Sequence, residues 1–163
     1  QFEKLDICVP NAGEATLGSI TQTSLADWNT NIESILTGTF LTMKAAILWM
    51  KETKTPGAIL PVVSQAGKVG FELRAGYCAA KWGSLGLIEC ARMEAKKYGI
   101  RITSLLPASV ATDFQAKNPM GTDWMMTADD IAEAALYALT ASDRVDLNEL
   151  WLRCWKKADK KDR

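Results

Sequence analysis

Two apolar patterns take turns along the chain. Short uninterrupted runs end at proline or glycine, and long stretches repeat their apolar positions every three or four residues. Residues 5–9 (LDICV) form the first short run, stopped by Pro10 and Gly13, and are predicted to be a buried strand followed by a turn. After a polar loop, residues 24–52 carry Leu25, Trp28, Ile32, Ile35, Leu36 and Thr39 at helical steps, with Ser24 placed to cap the helix. Gly38 in its middle costs about 1 kcal/mol of helicity against alanine, which suggests close approach of another element there. The breaker TPG leads to a second buried run, residues 58–64 (AILPVVS), in which Pro61 removes a ladder donor. A glycine-rich loop (QAGKVGFELRAG) precedes a second long helix over residues 77–99, closed by Gly99. The run 100–106 (IRITSLL) ends at Pro107, and a long loop fills 108–126. Residues 127–142 read as a third helix, capped by Thr127, with Asp129 and Asp130 at its positive end. ELWLR (149–153) is a fourth strand, and the charged residues 156–163 are expected to be a solvated, disordered tail.

The order is strand, helix, strand, helix, strand, helix, strand, within a single domain spanning 1–163. Continuous apolar strands alternating with long helices predict a parallel sheet covered on both faces. In such sheets ligands sit beyond the carboxyl ends of the strands, here residues 10–13, 64–67 and 107–112.

Composition narrows the chemistry. Apolar residues make up 48% and charged residues 23%, and nineteen basic residues balance nineteen acidic ones, so nothing draws the chain toward nucleic acid or an anionic membrane. No uninterrupted apolar run reaches the ~18 residues that span a bilayer. Cys8, Cys78, Cys90 and Cys154 sit among apolar neighbours without metal-like spacing, which predicts buried free thiols and a cytoplasmic, reducing setting. There is no histidine, which excludes Ser-His-Asp and Cys-His catalysis and histidine metal sites. Any acid or base is therefore Asp, Glu, Lys, Tyr or Cys.

Tyr77 and Lys81 stand at i and i+4 on one helix face, and Ser64 ends the strand before them. A phenol titrates near ~10 when unperturbed, and a neighbouring ammonium favours the phenolate. A tyrosine tuned in this way can pass a proton to or from a carbonyl oxygen, while a serine hydroxyl holds that oxygen. The Y-x-x-x-K spacing alone arises often by chance, so its weight comes from the company it keeps.

Five landmarks in order supply that company: PNAG (10–13), Trp28 with GTF (38–40), Ser64, YCAAK (77–81) and PASVAT (107–112). Together they resemble the short-chain dehydrogenase/reductase family over nearly the whole chain. The resemblance implies a Rossmann-like, doubly wound α/β fold. It also implies an NAD or NADP cofactor and a small-molecule carbonyl or alcohol substrate. Tyr77 would act as the general acid or base. Lys81 would lower its pKa and hold the cofactor ribose, and Ser64 would orient the carbonyl. Asn11, Ala12 and Gly13 would line the cofactor channel, with Pro107, Ala108, Val110 and Thr112 bordering the nicotinamide. The loop after Thr112 would be a lid over the substrate pocket. The two long helices would form a homo-oligomer interface, which Gly76, Ala79, Ala80, Gly83 and Gly86 suit by their size.

The match departs from the family pattern in three ways. The first strand aligns with the family's fourth, so the glycine-rich T-G-x-x-x-G-x-G segment and the amino-terminal half have no counterpart here, and the resemblance implies that this strand is a sheet edge covered by another chain or by further residues of a longer natural protein. The GKVG at 67–70 lies in the active-site loop and does not replace it. The family's active-site asparagine falls at Ile35, with Asn31 one turn earlier as a partial substitute. Pro10 and Ala108 stand where the family has asparagine and glycine. Two readings therefore stay open: an oxidoreductase with a Ser-Tyr-Lys site, or a non-catalytic relative serving as a binding or assembly module.

Overall fold

The computed structural model describes residues 3–115 and 122–156. Three strands, β1 (Ile7–Cys8), β2 (Gly57–Ile59) and β3 (Ile100–Ile102), pair in parallel in that order. A second parallel pair joins β4 (Ser104–Pro107) to β5 (Glu149–Leu152). The two pairs are one surface, because β4 continues β3 after Thr103 and a bridge links Val62 to Leu105. Backbone bonds also carry the first pairing past the short β1: the amides of Ala58, Leu60 and Val62 donate to the carbonyls of Asp6, Cys8 and Pro10 at 2.9, 2.8 and 2.9 Å.

Pro61 explains why the strands look short. In the run 58–63, even-numbered residues bond β1 and odd-numbered ones bond the β3–β4 strand. Pro61 accepts from Leu105 at 2.9 Å but has no N–H to return. One rung is lost, and the neighbouring strand divides at Thr103 opposite it.

The helices cover both faces. Helix α1 (Leu25–Asn31) starts at Ser24, whose hydroxyl accepts from the Asp27 amide, and runs through a π-helical turn (Ile32–Thr37) into α2 (Gly38–Glu52). Met43, Ala46 and Met50 of α2 pack with Ile59, Val63, Ile100 and Ile102, and with Ile88 and Ala95 of α3 (Ala75–Ala95). The opposite face holds Leu60 and Leu105 against Ala138 of α4 (Ala128–Thr140), which opens with a Thr127–Asp130 capping box. The fold is thus the expected doubly wound parallel α/β arrangement. The continuous segment Leu25–Glu52 is also long and apolar enough to cross a membrane, although no uninterrupted apolar run showed this in the sequence. Its inward stripe is spent on the sheet.

Several expectations change. Gly38 admits no second element: an added Cβ would meet only the Glu33 carbonyl of its own helix, at 3.6 Å. The close approaches are at Gly76, against Asn31, and Gly83, against Leu36, while Gly86 faces open space. Gly57 is the glycine with least room, since a Cβ there would lie 2.7 Å from the Asp6 carbonyl. All four cysteines are free, but only Cys78 is buried and Cys90 is exposed. Leu25 and Trp28, which open the predicted apolar stripe, are exposed. At the sheet edge, Ile7 and Val9 of the first strand point outward, about half exposed. Of the predicted tail only Lys156 falls within the described residues, and 116–121 of the loop after Thr112 lie outside them.

Candidate active site

Ser64 is the last residue of the second strand run and begins a 3-10 turn (Gln65–Gly67), its hydroxyl accepting from the Ala66 amide at 3.1 Å. Tyr77 and Lys81 occupy the first turns of α3, and that helix is set against the turn, with Gly67 close to the Lys81 carbonyl. The result is a convergent group: the Ser64 hydroxyl faces the Tyr77 phenol and favours its phenolate, and the Lys81 ammonium lies 5.8 Å from the Tyr77 ring centre. Lys81 Nζ donates to the Val62 carbonyl at 3.2 Å, leaving two of its three N–H groups for other acceptors.

Burial dominates the electrostatics. It raises the Tyr77 pKa, against smaller downward effects of the Ser64 hydrogen bond and the Arg74 charge. Burial also lowers Lys81 to about 8. This differs from the sequence expectation that Lys81 would pull the phenol down. The groups that favour the phenolate are Ser64 and Arg74, and the net shift is upward.

Ile35, in the π-helical turn, packs in a buried cluster with Ala66, Tyr77, Cys78 and Ala80. It makes an apolar wall where the family resemblance would place an asparagine. Asn31 is fully buried one turn earlier, its Nδ2 donating to Thr16 Oγ1 at 2.8 Å and to the Asp27 carbonyl at 2.9 Å, while Oδ1 has no partner among the described residues. These bonds tie it to the loop after the first strand rather than to Lys81.

The predicted cofactor-lining residues lie at the carboxyl ends of the strands. Asn11, Ala12 and Gly13 are exposed just after Pro10, and Gly13 backs onto Ile35. Pro107 is buried at the end of β4, and the Ala108 amide donates to the Leu152 carbonyl at 2.9 Å. Val110 bridges to Met126, and Cys154 Sγ donates to the Ser109 carbonyl at 3.3 Å, so β5 braces this loop. Thr112 is exposed. These groups suit the nicotinamide and ribose end of a dinucleotide: a bare backbone, exposed polar groups, and a lysine with donors to spare. A cleft of about 660 Å³ between Asp6, Gly57, Ile100 and Arg144 opens at the opposite ends of the strands and includes none of these residues.

Two residues at the site were not singled out from the sequence. Phe114 lies against Tyr77, with ring centres 6.0 Å apart. Arg74 stands three residues before Tyr77, its guanidinium 5.9 Å from the Phe71 ring centre. The i to i+3 spacing was a usable signal for Arg74, whereas nothing local pointed to Phe114.

Comparison with known proteins places this geometry. The short chain dehydrogenase family model matches residues 1–122. The chain is 45% identical over 116 residues to trans-4-hydroxycyclohexanecarboxylate dehydrogenase of Sinomonas cyclohexanicum, covering 71% of this chain and 44% of the relative. It is 34% identical over 148 residues to inactive 2-(S)-hydroxypropyl-CoM dehydrogenase 2 of Xanthobacter autotrophicus, covering 81% and 64%. It also superimposes on an alcohol dehydrogenase from the archaeon Thermococcus sibiricus, solved in complex with 5-hydroxy-NADP. That match has a TM-score of 0.85 and 27% identity, covering 98% of this chain and 67% of the other. The chain therefore spans less than two thirds of the two curated relatives.

Proposed function

Because the chain belongs to the short chain dehydrogenase family, we propose that it carries the proton-relay part of an NAD- or NADP-dependent oxidoreductase site that interconverts an alcohol and a carbonyl. The observation that carries this reading is the convergence of Ser64, Tyr77 and Lys81 at the carboxyl end of the sheet. The dinucleotide supplies the hydride acceptor or donor when bound. Ser64 holds the substrate oxygen; in reduction the neutral Tyr77 phenol gives that oxygen a proton and is left as phenolate, and in oxidation the phenolate takes the alcohol's proton. Lys81 offers its spare N–H groups to the ribose hydroxyls, and a pKa of about 8 keeps it mostly charged at neutral pH. Asn11, Ala12, Gly13, Pro107, Ala108, Val110 and Thr112 form the two banks of the channel. Four free cysteines fit a cytoplasmic, reducing location.

The test is binding and turnover by the full chain. Nicotinamide fluorescence with NADH and NADPH measures the first, and oxidation of secondary alcohols, trans-4-hydroxycyclohexanecarboxylate among them, measures the second. Turnover that falls at least about a hundredfold in Tyr77→Phe supports the reading. No binding at millimolar dinucleotide, or undiminished turnover in the variant, refutes it.

Ile35 favours a second reading, a non-catalytic binding or assembly module, and one relative's name describes it as inactive. Either reading accommodates a homo-oligomer. Phe40, Leu41, Leu48 and Trp49 of α2 and Trp82 and Met93 of α3 are exposed, an apolar surface that a second copy would cover. Light scattering that finds only monomer across micromolar concentrations would exclude it.

A further inference from the structure

We propose that the substrate carries a carboxylate, and that Arg74 binds it. This rests on the oxidoreductase reading and adds the substrate's charge to it. Five observations converge. Arg74 is half-buried at the N-cap of α3, three residues before Tyr77, so both side chains leave the chain at the same corner of the fold. Its charge is felt at the Tyr77 oxygen, where it favours the phenolate. No carboxylate forms an ion pair with it among the described residues, whereas Arg92 is paired with Glu89 and Lys96 with Asp146.

The backbone that presents Arg74 is also held under strain. Leu73 sits at φ +60, a left-handed conformation unfavourable for a branched apolar residue. It is kept there by the Gly18 amide, which donates to the Leu73 carbonyl at 2.8 Å, and by the bridge from Gly18 to Arg74. Strain of this kind persists where the fold over-determines a position, commonly beside a site. Phe71 lies beside the guanidinium and Phe114 beside the phenol. This corner thus offers two apolar rings and, besides the Lys81 assigned to the ribose, a guanidinium without a carboxylate partner among the described residues. That combination suits an apolar body with an anionic end, and a guanidinium matches a carboxylate in two-point geometry.

The experiment compares acids with their methyl esters at one pH: 4-oxopentanoate, 5-oxohexanoate and a cyclic keto acid of similar reach, each with NADH or NADPH. The expected result is a kcat/KM about 10- to 100-fold higher for the acid of fitting length, the range of a charged hydrogen-bonded contact. In Arg74→Met the acid-to-ester ratio falls to near one, and Arg74→Lys keeps part of it. The effect of Arg74 on Tyr77 acts alike on acid and ester at fixed pH, so it cancels in the ratio. A wild-type ratio near one with turnover of neutral carbonyls overturns the carboxylate assignment and leaves the oxidoreductase reading standing. A ratio that survives Arg74→Met overturns it as well. If nothing turns over, calorimetric binding of the same pairs decides: preference for the acid upholds the anionic site while the oxidoreductase reading falls, and equal binding overturns the site.

Discussion

Replacing Lys81 by methionine should stabilise the fold at neutral pH while removing the lysine from the site. Burial holds the folded-state pKa at about 8, against 10.5 for a free lysine. A lowered pKa means the unfolded chain binds the proton more readily than the folded one. The stability associated with Lys81 is therefore fully present above about 10.5 and is lost as pH falls toward 8. At about 1.4 kcal/mol per decade, the interval corresponds to about 3 kcal/mol of burial cost at neutral pH. Against this, the variant loses the 3.2 Å bond to the Val62 carbonyl, on the order of 1–2 kcal/mol. The pH dependence separates the two, because the hydrogen-bond loss is nearly constant while the protonation cost is not. Urea unfolding followed by tryptophan fluorescence at about pH 7 and about pH 9.5 should show the wild type gaining about 2 kcal/mol on the variant between the two conditions, with equal denaturant slopes. A gap constant within about 0.5 kcal/mol would mean that the ammonium is not held in a desolvated position, and the account of Lys81 would fail.

Three other outcomes follow from specific contacts. Ser64→Ala removes a hydroxyl that favours the phenolate, so Tyr77 should titrate still higher, read from near-ultraviolet phenolate absorbance; a downward move would contradict this account. Gly57→Ala places a Cβ 2.7 Å from the Asp6 carbonyl, and backbone cannot swing aside as a side chain would. It should cost about 1–3 kcal/mol in urea unfolding, with no loss counting against the packing described. Thr127→Ala breaks the capping box of α4 and should cost about 1 kcal/mol, which Thr127→Ser largely restores.

Much of this molecule was legible before any coordinates. Ser24, Thr127 and Gly99 announced helix ends because their chemistry is local: two hydroxyls that accept amide hydrogens and one glycine at φ +72. The Ser64, Tyr77 and Lys81 group was legible because the helix repeat and a strand end fix their relative placement. What stayed hidden depends on tertiary placement. Gly38 looked like a contact point, yet the contacts fell to Gly76 and Gly83 one helix away. The sign of the Tyr77 shift depends on how thoroughly Ile35 and Ala66 dry the site, a property of packing and not of spacing. Phe114 reaches Tyr77 only because the chain beyond β4 folds back over α3.

The proline in the second strand also has a kinetic meaning. The missing rung at Pro61 is expected to be the weakest seam of the sheet, with one block built on β1, β2 and β3 and a second on β4 and β5. The amides of Ser104 and Ala108, which bond Asn148 and Leu152, belong to the second block. In native-state hydrogen exchange they should open together with β5 and apart from Ile100 and Ile102. That outcome would put the two banks of the proposed channel, residues 11–13 and 107–112, on different opening units, one free to loosen while the Ser64 corner stays folded.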